Sequence, residues 1–407
     1  MILPREAWRR NELVTVAMVF VVFTGFAFVL PFLPLFVREL GVKEAETAVL
    51  WAGVLIGVSP LLAGLLAPVW GRLADRYGHK GVAVKALVSY VVLIALCAAV
   101  SRVEQLLALR VGIGLFGGIG PLGLAMATAQ SPREETGRAV GLIQAAQILS
   151  AAVGPLAGGI LADAIGIRRT FLITAGLCAV ALGLVVRFYE DGPAGGGPRP
   201  DGLAGGFRAV ARLPGLLSLL VVLFFVNFIG RSFTPILPLH LQLVGVPSAR
   251  AASATGVLIS AYSLAAAASA TLLGRASRTR SPRGLLLATL LAGAAVVLPM
   301  ALVPTYGGLL TLGVLLGLAS GGSLTLCYTI GGLMAPGEVR TTAFGFFSGA
   351  ALFGGAVSPS VAGIVAHWSL RGIYWVDAAL YIALALAVAG GAASAASSRS
   401  RALSSSG

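Results

Sequence analysis

Charge is scarce in this chain, so the few ionisable groups inside its apolar stretches are the first candidates for chemistry. Arg110, Arg231 and Asp377 each interrupt a long uncharged run. Inside a membrane, a cation can hold an anionic ligand group or balance an acid, and a carboxyl can take up and return a proton. Arg231 follows Asn227 by four residues, so on a helix the two share a face. Counted from the start of its run, Arg231 lies just beyond the midplane. Arg110 lies little more than a turn from the end of its run and reads either as a cavity residue or as a side chain snorkelling to the headgroups. Asp377 is the acid placed well inside a run, against an interfacial position as the alternative; Asp163 stands at the end of another. The first run carries no buried acid. Gln144, Gln147, Tyr262 and Tyr328, with the aromatics Phe23, Phe116, Phe224 and Phe228, would suit a cavity wall for lipophilic or cationic ligands. Ordinary packing or lipid contact is the other reading of the same residues.

Two further clusters are compact. Gly71, Arg72, Leu73, Ala74, Asp75, Arg76, Tyr77, Gly78, His79 and Lys80 form a polar knot between the uncharged runs 47–70 and 86–101. Gly141, Ser150, Gly154, Pro155, Gly158 and Gly159 put small residues and a proline on one stretch, a composition for close helix approach and a bend. Other chemistries find no residues. Cys97, Cys178 and Cys327 lie inside apolar runs without a CxxC, and His240 and His367 have no companions at metal-ligand spacing. There is no nucleotide-binding G-x-x-x-x-G-K-[ST] loop and no nucleophile–base pair. The expectation is a protein that is not an enzyme, with no metal and no cofactor.

The elements that position these residues follow from composition. With 57% hydrophobic and 11% charged residues and a mean hydropathy of +0.94, the chain is a membrane protein rather than a soluble domain, since ordinary domains carry about 25% charged residues. Its apolar runs are continuous rather than alternating, which points to helices and not to a barrel. Twelve spans are expected near 13–37, 48–70, 81–101, 105–128, 138–163, 169–187, 214–241, 252–273, 284–303, 306–332, 342–366 and 372–392. Twenty of the 29 lysines and arginines fall on the side of the N-terminus and seven on the other, so both termini are expected in the cytoplasm. That asymmetry accounts for the net charge of +14 without nucleic acid.

The stretch 190–213, rich in Gly and Pro, reads as a cytoplasmic linker with a short interfacial helix near 207–213. It separates a six-helix half, 1–189, from a second, 214–407. A repeat runs through both halves at an offset of 203 to 204 residues. Pro31, Pro34 and Leu35 recur as Pro235, Pro238 and Leu239, and Gly53 to Ile56 recur as Gly256 to Ile259. Pro155 and Gly159 recur as Pro359 and Gly363. Two parallel halves imply a pseudo-two-fold axis along the membrane normal and a central cavity.

The knot, G-x-L-A-D-R-x-G-x-K, resembles the cytoplasmic loop between the second and third helices of major facilitator transporters. The resemblance extends over nearly the whole chain and is strongest to the twelve-span drug/proton antiporters. It implies an all-α membrane fold of two pseudo-symmetric six-helix bundles. It implies a gate in which Gly71 and Gly78 allow tight turns and Asp75, Arg76 and Lys80, with Arg138, make charge contacts near the start of the eleventh helix. His79 replaces the family's usual arginine, and the second copy, Gly274 to Arg278, lacks the acid. The Gly141 to Gly159 stretch resembles the antiporter signature, with Ser150 in place of a glycine. Leu106, Arg110 and Gly114 resemble an arginine motif linked to proton transfer, although Ile113 replaces its polar neighbour. The function implied is export of lipophilic, drug-like molecules in exchange for protons by a monomer in the plasma (inner) membrane, with Arg110 or Asp377 in the proton path. A transporter or symporter of one metabolite or sugar is the alternative, and a non-transporting sensor or scaffold the remoter one.

Overall fold

In the computed structural model, residues 5–129, 135–191, 215–335 and 340–404 are described. The linker expected at 190–213 lies almost wholly outside them, as does its short interfacial helix. Secondary structure among the described residues is helical. Among the described residues, eleven helical segments are long and apolar enough to cross a membrane, or twelve when the interrupted pair 216–243 counts as one span.

The first span is α1 (Arg5–Ala27), a short 3-10 turn, and α2 (Leu33–Glu39). Pro31 and Pro34 lie at the interruption, where proline's missing N–H breaks the ladder. Next come α3 (Ala45–Tyr77), α4 (His79–Cys97), α5 (Val103–Phe116), α6 (Ile119–Ala129), α7 (Thr136–Ile165) and α8 (Ile167–Phe188). The second series starts with α9 (Leu216–Ser232) and α10 (Leu237–Leu243), again with Pro235 and Pro238 at the break. It continues through α11 (Ala251–Ala276), α12 (Pro282–Met300), α13 (Tyr306–Ser320), α14 (Ser323–Met334), α15 (Arg340–Trp368) and α16 (Gly372–Ser404).

The chain forms two compact units. The first comprises Met1–Arg199, Phe233–Ser263 and Ala356–Leu370; the second comprises Pro200–Ser232, Leu264–Gly355 and Arg371–Gly407. In the first, α1 packs on α7 and α8, α4 on α8, and α3 on α5. Small residues set these distances: a side chain on Gly114 would collide with Ser59 and Leu62, and one on Gly25 would press on Thr174. In the second, α12 packs on α13, α14 and α16, while α9 packs on α14 and α16. Gly293 there accepts the ring of Tyr381, and Gly354 the backbone of Phe224. Cys97, Cys178 and Cys327 are buried free thiols.

Candidate functional site

The small-residue stretch of α7 is a two-sided seam. Gly154 and Gly158 face the end of α1, where added Cβ atoms would meet Ala27 and the backbone of Phe28. A quarter-turn round the helix, Pro155 and Gly159 face α11: the Pro155 carbonyl occupies the place of a Gly256 side chain, and the Ala252 backbone that of a Gly159 side chain. The same contact exists between α3 and α15, at the positions that the repeat pairs. The Pro359 carbonyl lies where Gly53 would carry its Cβ, and Gly363 abuts Val49 and Leu50. Backbones this close gain dispersion contacts and Cα–H···O interactions that larger residues forbid.

Hydroxyls complete each seam from opposite partners. On one side Ser260 of α11 accepts the Leu156 N–H at 3.1 Å; on the other Ser360 of α15 donates to the Gly53 carbonyl at 3.3 Å. Ser150 is buried between α7 and α1. Its oxygen accepts from the Thr24 hydroxyl at 3.1 Å, and its proton lies between the carbonyls of Phe20, at 2.9 Å, and Ala146, at 2.8 Å. Gly141 stands apart from the seam, exposed and with open space beside it.

Arg110 does not snorkel. It is 4% exposed, and its Nε–H donates to the Leu55 carbonyl of α3 at 2.9 Å while its own carbonyl accepts from Ser59 at 2.6 Å. It borders a void of about 10 Å³ with Phe26, Ile113 and Thr174, room for about one water. Arg110 thus fastens α5 to α3.

The polar knot is the end of α3 and the start of α4. Gly78 joins them at φ +88°, a conformation that favours glycine, and a side chain there would also strike the Asp191 carboxylate. Asp191, just past the sixth span, caps α4 by accepting the Lys80 N–H at 3.0 and 3.3 Å. Its neighbour Glu190 pairs with Arg10 at 2.7 Å and exchanges two hydrogen bonds with Asn11. Between this clip and α8, burial and then the Asp191 charge push the Tyr189 phenol up. Gly71 has open space around it, and Arg76 lies over the Tyr77 ring. Arg138 pairs with Glu12 at 3.7 Å and Glu135 at 3.4 Å. The side chain of Asp75 and the first turn of α15 lie outside the described side chains.

At the opposite end of α3 and α7, three contacts converge. Asp163 accepts the N–H groups of Ala252 and Ser253, at 3.3 and 2.8 Å, and so caps α11. Arg38 of α2 donates to Gln242 of α10 at 3.1 Å. The repeat offset makes Arg38 and Gln242 equivalent positions. A cleft of about 650 Å³ opens beside them, also lined by Glu39 and Lys43.

The candidate cavity residues divide between the two units. In the second, Phe224 stacks on Phe228 with 6.3 Å between centroids, and Phe353 joins them; Tyr328 stacks on Phe344 at 6.0 Å. Asn227 and Arg231 share a face, as their spacing requires, and both lie against Gly355 of α15. Asp377 is fully buried, and the Ser232 hydroxyl reaches its Oδ2. In the first unit, Phe23 borders Gly120 and Tyr262 meets Phe233 edge-on at 5.4 Å. Gln144 is exposed and Gln147 half-buried. Phe116 is 44% exposed beneath Lys85, whose ammonium also lies 4.7 Å above Trp70. Among the described residues no group of three or more His, Cys, Asp or Glu side chains is placed to hold a metal. Sequence reasoning missed Asp191, Ser232 and the Arg38–Gln242 pair. Only the last had a signal, the equal positions of its members in the repeat.

Known proteins resemble this chain in sequence and in fold. The profile of the Major Facilitator Superfamily matches residues 15–304 and 249–403. The multidrug resistance protein MdtG of Yersinia enterocolitica is 30% identical over 382 residues, 93% of this chain and 92% of that protein. Its namesake in Proteus mirabilis is 30% identical over 383 residues, 93% and 94% of the two chains. A bacterial homologue of the human lysosomal transporter Spinster superposes with a TM-score of 0.74 at 17% identity, covering 96% of each chain. A mutant of the nucleoside transporter NupG does so at 0.71 and 13%, covering 94% and 99%. With the profile spanning almost the entire sequence and relatives of equal length at 30% identity, the chain belongs to the major facilitator superfamily, a family of multi-pass membrane transporters.

Proposed function

We propose that this chain exports lipophilic, drug-like molecules in exchange for protons, by alternating access, as a monomer in the plasma membrane with both termini in the cytoplasm. The observation that carries the reading is the two-sided seam of α7, where the stretch that resembles the antiporter signature packs on α1 with one face and on α11 with the other. The relatives' name, multidrug resistance protein, supports the substrate class, as do aromatic surfaces with few polar anchors. The surplus of basic residues on one side supports the orientation. On this reading the halves 1–189 and 214–407 rock about the repeat axis. The knot, with Asp75, Arg76, Lys80 and Arg138, closes the cytoplasmic side, and the contacts around Asp163 and Arg38 close the external side.

Efflux of a panel of lipophilic dyes from cells, with and without a proton gradient, tests this. Gradient-dependent export of several dyes is expected. Gradient-independent accumulation of a single sugar would overturn it, and movement of no solute would leave the scaffold. Asp75→Asn should lower efflux at least tenfold, about 1.4 kcal/mol, with dye binding unchanged.

A further inference from the structure

Asp377 is wholly buried on α16, one turn after the equally buried Tyr374. Its Oδ2 meets the Ser232 hydroxyl of α9, and its Oδ1 has no hydrogen-bond partner among the described residues. The same hydroxyl lies 2.9 Å from the Ile229 carbonyl. A serine hydroxyl has one proton to give, and a carbonyl has none. If the carboxyl were ionised, that one proton would face two acceptors. A full negative charge would then rest in an apolar interior on a single hydrogen bond, at a cost of several kcal/mol. A proton on Oδ2 resolves both conflicts: Asp377 donates to Ser232, Ser232 donates to Ile229, and only a neutral carbonyl oxygen stays bare. The charged and titratable groups on the elements packed here are Arg283 in the first turn of α12, Arg231 of α9 against Gly355, and Tyr374, Arg399 and Arg401 of α16, with Arg371 one residue before that helix.

We propose that Asp377 holds a proton inside the membrane, positioned by Ser232, and that this is the proton exchanged for substrate; the second clause rests on the export reading above. Ser232 is the last residue of α9, at the interruption before α10, and the candidate substrate contacts Asn227, Phe228 and Arg231 stand on that same helix. Substrate pressing on α9 parts it from α16 and admits cytoplasmic water beside the carboxyl, where water solvates the anion that a dry site would not hold. The proton on Oδ2 then passes to cytoplasmic water, and external water returns one to the carboxylate when substrate has left. Each cycle moves one proton inward and one substrate outward.

Infrared spectroscopy of the purified protein in lipid vesicles reads the neutral carboxyl directly. A pH-sensitive dye reads proton release when ethidium is added. The wild type should show a buried carboxyl band at neutral pH. Asp377→Asn should lose the band and the proton release while still binding ethidium. Ser232→Ala should keep the band but move its frequency, and Ser232→Thr should restore it. Absence of the band, its persistence in Asp377→Asn, or undiminished proton release from that variant would overturn the proposal. If ethidium moves in no variant, the export reading falls, and the band alone decides whether Asp377 holds the proton.

Discussion

A single methyl group tests the seams. Gly256→Ala and Gly53→Ala each push a Cβ into a backbone carbonyl, of Pro155 and of Pro359, which cannot swing aside as a side chain would. Each should destabilise the protein by about 1–3 kcal/mol, read as a lower melting temperature in detergent, and should cut efflux. Gly141→Ala, in open space, should stay within about 0.5 kcal/mol of the wild type. The contrast separates contact from mere membership of the motif. Arg110→Ala removes a buried donor to the Leu55 carbonyl and widens the neighbouring void. It should cost about 2–5 kcal/mol in the same melting assay. A role confined to the membrane surface would leave the melt unchanged.

Between elements, the turn joining α3 to α4 depends on a residue far along the chain. Asp191 supplies the acceptors that the first turn of α4 lacks and places a negative charge at that helix's positive end. Asp191→Ala should cost about 1 kcal/mol, seen as faster amide exchange at Lys80 and Gly81 while the middle of α4 stays protected. Gly78→Ala should cost at least as much, because its φ of +88° opposes a side chain and the carboxylate fills the space. Ser150 shows the opposite case, a departure from the glycine pattern that adds a bond between α7 and α1.

At the scale of the molecule, the contacts around Asp163 hold the ends of α7 and α11 together. Asp163→Ala should weaken that hold by about 1 kcal/mol, roughly a fivefold shift in population. In a background without Cys97, Cys178 and Cys327, an Ala162→Cys thiol, buried at the wall of the same cleft, should then react faster with an impermeant maleimide added outside. Unchanged labelling would show that the cap stabilises α11 alone.

The fold class was legible because hydrocarbon leaves a backbone few options: long apolar runs must be helices, and their ends follow from charge. The repeat was legible too, since Gly53, Gly256, Pro155 and Pro359 kept one register, and the structure sets these four in two equivalent contacts. Arg231 and Asn227 were placed on one face by their spacing alone. What spacing could not decide was which partner fills the space beside each residue. Whether Arg110 reached lipid or a carbonyl depended on α3, and whether Asp377 was interfacial or buried depended on Ser232, 145 residues away. Asp191 looked like part of a linker until the turn at Gly78 came to rest on it. Periodicity is local and belongs to the sequence; burial and hydrogen-bond partners arise where distant segments meet, and only the tertiary structure assigns them.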